Sequence, residues 1–127
     1  MSVECRLYVG LTLEIKKDLT AADFNKYHEF IEKHPGLDEY EYYSTNKEGK
    51  LLLISDGMNG DFLRLIKVDR FIDGGSLGDA NEIIELPVTI DCFDKELIGK
   101  MVDIYVEYTG TQPTLADFKY AIWSQWC

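Results

Sequence analysis

Apolar residues recur along this chain with two different periods. From Leu19 to Pro35 the period is helical: Phe24, Tyr27, His28 and Ile31 stand at i, i+3, i+4 and i+7, the spacing of one buried helix face. Thr20 and Asp23 can exchange hydrogen bonds as a capping box, and Leu19 and Phe24 are placed to close a hydrophobic staple over it. His34, Pro35 and Gly36 mark the end, because a proline disfavours helical geometry in the residue before it. The pattern predicts a helix over 20–33, with His28 half-buried in its stripe.

Elsewhere the period is two. Leu7, Val9, Leu11 and Leu13 alternate with Arg6, Tyr8, Thr12 and Glu14, which predicts a strand over Arg6–Ile15. In Leu37–Tyr43 the same period puts Tyr40 and Tyr42 on one face and Glu39, Glu41 and Tyr43 on the other. Leu51–Ser55 is apolar throughout, as a central strand would be. The turn-rich stretch 56–61 would let Phe62–Ile72 pair back on it. Glu82–Cys92 is β-branched with Pro87 inside it, which predicts an edge strand or a bulge.

One stretch near the C-terminus carries both periods. Leu97, Ile98, Met101, Val102 and Tyr105 fit a helix, while Val102, Ile104, Val106 and Tyr108 alternate as a strand. The β-branched and aromatic content favours the strand over Val102–Tyr108. In Thr114–Trp126, Thr114 and Asp117 repeat the capping box, and Leu115, Phe118, Ile122 and Trp126 form a stripe, so a second helix is expected. The two boxes share T-x-A-D-F, each after a Tyr-Val pair; convergence on one kind of helix start is favoured over two pseudo-symmetric strand–helix halves. The expected fold class is therefore α+β. It is an antiparallel sheet of five or six strands with two amphipathic helices (20–33 and 114–126) packed on one face, in a single domain over 1–127.

Composition narrows the function classes. The chain has 127 residues, 46% of them hydrophobic, enough to bury a core without metals or disulfides. Net charge is −10, and residues 73–117 hold ten acids against only Lys95 and Lys100. Such a field repels nucleic acid and anionic membranes and attracts basic proteins; keeping the chain soluble is its plainest role. Cys5, Cys92 and Cys127 are odd in number and widely spaced, which fits reduced thiols in the cytoplasm. No signal peptide, membrane-spanning run or prenylation motif is expected.

Candidate chemistry is sparse. Gly74-Gly75-Ser76-Leu77-Gly78 matches G-x-S-x-G, but both histidines, His28 and His34, lie upstream and no helix is expected after it, so it reads as a loop. The histidines are six residues apart, on different sides of a helix, which is poor spacing for metal ligands. Asp56, Asn59 and Asp61 fail the calcium-loop spacing. No catalytic residue, metal ligand or cofactor is expected, and the chain reads as non-enzymatic.

What remains is acids paired with tyrosine. Glu39, Glu41 and Tyr43, joined by Glu82, Glu85, Asp103 and Glu107, are expected to form an acidic, tyrosine-bearing surface that docks on a basic protein partner. Carboxylates would stand where phosphates do, as in an inhibitor of immunity or anti-defence type that blocks a nucleic-acid-handling enzyme. The alternative is a small ligand-binding or enzymatic domain with a pocket between sheet and helices lined by Tyr, Asp and Glu.

Overall fold

The structure is a computed structural model, and it describes residues 5–39, 46–56, 62–74, 83–89 and 93–126. Five strands form one antiparallel sheet: β1 (Cys5–Lys16), β2 (Leu51–Asp56), β3 (Phe62–Asp73), β4 (Ile83–Pro87) and β5 (Phe118–Trp126), in the order β2-β3-β1-β5-β4. Two helices, α1 (Ala21–Lys33) and α2 (Lys95–Thr109), complete an α+β fold.

The α1 helix begins as its residues dictate. The Asp23 amide donates to the Thr20 hydroxyl (3.3 Å), and the Thr20 amide donates to the Asp23 carboxylate (2.8 Å). Lys16 adds two bonds of 2.7 and 2.8 Å to the same carboxylate. Leu19 and Phe24 both join the core beneath the cap. The buried face differs from the expectation by a fraction of a turn. Tyr27, Phe30 and Ile31 are buried, Phe24 is half-buried, and His28 is exposed. Phe30 takes the inward position because its ring meets Tyr108 of α2 edge-on, with centroids 5.0 Å apart.

The second helix lies elsewhere than expected. Residues 114–126 form no helix: Leu115–Asp117 is a single 3₁₀ turn and β5 follows at once. The box is present, since the Thr114 amide donates to Asp117 (2.7 Å), but it caps one turn only. Phe118, Tyr120 and Ile122 alternate with Lys119, Ala121 and Trp123, and this period-two pattern prevails because β5 pairs with β1 on one side and β4 on the other. The helix is instead α2, in the stretch expected as a strand. Asp94 caps it by accepting from the Glu96 amide (2.9 Å), and Gly110 ends it in the left-handed region at φ 77°. These two stops, with apolar positions at 97, 98, 101, 105 and 108, outweigh its β-branched content. The two T-x-A-D-F boxes thus open unlike elements.

Side chains on the two sides of the sheet feed separate cores. One joins Leu11, Leu13, Leu53, Leu63 and Leu65 to Tyr27, Phe30, Ile31, Met101 and Tyr108 of the helices. The other holds Tyr8, Leu52, Ile54, Phe62, Ile66, Val68, Ala121 and Trp123. Burial on both sides explains why β2 is apolar throughout although it stands at the end of the strand order rather than at its centre. β4 is the other end strand, with Pro87 as its last residue. A bulge opposite Val9 and Gly10 inserts Asp69 into β3, so Phe71 turns to the same side as Tyr8. Gly10 is required there, since a Cβ would run into the backbone carbonyl of Lys67.

Candidate functional site

The residues expected to form an acidic face do not gather. Glu41, Tyr43 and Glu82 lie outside the described residues, as does Ser76 of the G-x-S-x-G stretch. Glu39 was expected on an exposed strand face and is instead 1% exposed. Its carboxylate accepts from the Tyr8 hydroxyl (2.7 Å), and Lys47 Nζ lies 3.2 Å from that hydroxyl and 3.9 Å from Glu39. Trp123 stacks on Tyr8, and the Lys47 ammonium stands 4.8 Å from the centre of the Phe71 ring. Burial of an acid becomes tolerable here because its charge is matched and hydrogen-bonded.

Glu85 is also engaged. It and Glu14 both hold the guanidinium of buried Arg64, at 2.5 and 2.7 Å. Lys17, Asp117 and Lys119 complete the walls of a polar cavity of about 190 Å³ above this group. The sequence shows no sign of these centres, because Arg64 and Lys47 sit in stretches whose polar positions otherwise read as exposed.

Asp103 and Glu107 do come together. They lie one turn apart on the exposed side of α2, in line with Glu96 and Lys100. Beside them a groove of about 500 Å³ opens between the end of α1, the start of β2 and α2. Leu37, Leu51 and Ile104 give it an apolar lining, and His34, Lys100 and Asp103 supply its polar groups. Lys100 is paired with Glu96 (3.7 Å), and His34 Nε2 meets Glu107 at 2.6 Å. Asp103 has no hydrogen-bond or ion-pair partner among the described residues. The groove is not the tyrosine-lined pocket of the alternative expectation; it has one carboxylate and no tyrosine in its lining. His34 closes α1 as its C-cap, its amide donating to the carbonyls of Phe30 (3.0 Å) and Ile31 (3.2 Å).

The distribution of charge is lopsided. Three of the thirteen bases, Arg6, Lys47 and Arg64, are at most 5% exposed, while Glu39 is the buried acid among the described residues. Among the described residues the fold therefore draws more cations than acids inward.

Among the described residues, no cluster of three His, Cys, Asp or Glu side chains is arranged to hold a metal ion, and no helix is long and apolar enough to cross a membrane. No protein-family model, no curated protein and no solved structure matches the chain.

Proposed function

We propose that this chain is a small acidic binding protein that docks on a basic protein through the outer side of α2, with Asp103 and Glu107 as the leading carboxylates. The supporting observation is the inward placement of Arg6, Lys47 and Arg64, which strips positive charge from the surface. A field of that sign accelerates encounter with basic partners and repels nucleic acid. Proteins that handle nucleic acid present basic grooves, so the partner class is such an enzyme and the role is inhibition by occupying its phosphate path. Of the seven residues expected from the sequence, Glu39 drops out and Glu85 is committed to buried Arg64, whereas Glu107 meets His34 yet stays on the exposed side of α2. On this reading the chain works in the cytoplasm, where free thiols at Cys5, Cys92 and Cys127 persist.

The test is a pull-down with the intact chain at low and high salt, followed by association kinetics with each protein recovered. Screening shrinks the Debye length from ~10 Å at 0.1 M to ~3 Å at 1 M, so association with a true partner slows steeply with salt. Asp103→Asn with Glu107→Gln lowers the association rate severalfold and leaves dissociation nearly unchanged. Association that ignores both salt and this double substitution refutes the reading.

A further inference from the structure

The groove beside Asp103 has a chemistry of its own. Its volume of about 500 Å³ falls within the range of sites that seat a small ligand or a protruding side chain. Leu51 and Ile104 are only half-buried, so part of their apolar surface faces open space next to buried Leu37. Covering that surface is favourable because it removes apolar area from water. Around it the polar groups are sorted: Lys100 is drawn to Glu96, His34 is held by Glu107, and Asp103 alone of the three lacks a counterpart among the described residues. An occupant that is apolar throughout would desolvate Asp103 without compensation, and an anion would be repelled by it. The complementary occupant is an apolar body carrying a cation at one end.

We infer that the groove seats one large apolar side chain of the protein partner, with an adjacent arginine or lysine meeting Asp103. This rests on the docking reading above and deepens it. The acidic exterior supplies attraction at a distance, and the groove supplies the apolar anchor that holds the complex once formed. Interfaces concentrate their energy in such anchors, each seated in a pocket and ringed by polar contacts. Partner specificity then lies in a two-residue motif, an aromatic or long aliphatic residue next to a basic one. The apolar residue enters between Leu37 and Ile104, and the base lies over the exposed side of α2.

Short capped peptides test this on the intact chain by methyl and amide NMR titration. The probes are acetyl-Gly-Phe-Arg-Gly-amide and its counterparts with Phe-Gln, Phe-Glu and Ser-Arg at the centre. The Phe-Arg peptide should shift the signals of Leu37, Leu51 and Ile104. It should bind a fewfold more tightly than Phe-Gln, the scale of one exposed ion pair, with Phe-Glu weakest. Asp103→Asn should erase the Phe-Arg advantage over Phe-Gln while the Phe-Gln affinity holds. Ser-Arg should leave the groove signals unmoved. Equal binding of Phe-Arg and Phe-Glu, shifts outside the groove, or no shift at millimolar peptide would each overturn the inference. Salt-sensitive docking on a partner combined with no peptide in the groove refutes the anchor alone. Peptide binding with partner association indifferent to salt and to the Asp103 and Glu107 substitutions refutes the docking reading and leaves the groove's preference standing.

Discussion

The hydroxyl of Tyr8 donates to the carboxylate of Glu39 across 2.7 Å, and neither residue is more than 1% exposed. Lys47 lies within 3.9 Å of the same carboxylate. A residue that reads as a surface acid is thus part of the interior. Glu39→Gln removes a carboxylate charge from beside the buried Lys47 ammonium, and the expected loss is about 3–5 kcal/mol of folding stability. Glu39→Gln combined with Lys47→Met should recover part of that loss, because both charges then leave the interior together. Urea unfolding of both variants beside the unaltered chain checks this. A loss under ~1 kcal/mol for Glu39→Gln would place the carboxylate back in solvent.

Phe30 is the helix residue on which the contact with α2 turns. Phe30→Ala removes a ring that packs against both Tyr108 and His34, and should cost about 3–5 kcal/mol. Phe24→Ala, at a half-buried position, should cost less, roughly 1–3 kcal/mol. Denaturation midpoints in the opposite order would mean that α1 is rotated about its axis.

Two glycines answer to different constraints. Gly110→Ala places a side chain in the left-handed region that ends α2, at a cost of about 1–2 kcal/mol. Gly10→Ala forces the backbone of Lys67 away at the bulge, with an expected cost of about 1–3 kcal/mol. The two differ in where the damage shows. Amide exchange should rise along β1 and β3 for Gly10→Ala and only near the end of α2 for Gly110→Ala.

Stability should fall at both extremes of pH for identifiable reasons. The Lys16 side chain, and then the Thr20 amide, hold the Asp23 carboxyl down at about 2 from 3.8. A depressed folded pKa adds stability above the unfolded value, so this contribution is present above about pH 4 and is lost as pH falls through about 2. Lys16→Met should return most of the shift in a carboxyl NMR titration. An unchanged Asp23 midpoint would show that the lysine is not the cause.

At the alkaline end, burial pushes Tyr108 up to about 12, aided by the charge of Asp23. Burial also raises Tyr120 to about 12, together with its 2.8 Å hydrogen bond to Asp69. A raised folded pKa stabilises below the unfolded value of 10, and that stability drains away as pH rises through about 12. Phenolate absorbance should show these two rings titrating late, and Asp69→Ala should bring Tyr120 down. Tyr120 ionising near 10 in the unaltered chain would contradict this arrangement.

Much of the fold was decided by interactions spanning a few residues, and those parts were legible in the letters. The start of α1 needs only Leu19, Thr20, Asp23 and Phe24, so its cap and staple follow from local stereochemistry. The antiparallel β2–β3 pairing needs two apolar runs close together in the chain, and it matches Leu51 with Lys67 through Asp56 with Phe62. The overall acidity was equally plain, being a matter of composition.

Tertiary structure alone decided the rest. Stretches 95–109 and 114–126 each carry a helical and a strand period; Asp94 and Gly110 bound the first as a helix, while the capping box before the second opens only a single turn. Trp123 lies in β5 because there it stacks on Tyr8 and meets Phe62 edge-on, while Tyr108 lies in α2 because there it meets Phe30. Those contacts join residues far apart in the chain, so the choice is made by packing and not by propensity. The site followed the same logic. Glu39, Lys47 and Tyr8 are 31 and 39 residues apart along the pairs that bind them, and the groove draws its lining from three separate elements. A carboxylate's exposure depends on whether the fold brings a cation to it, and a one-dimensional pattern holds no record of that meeting.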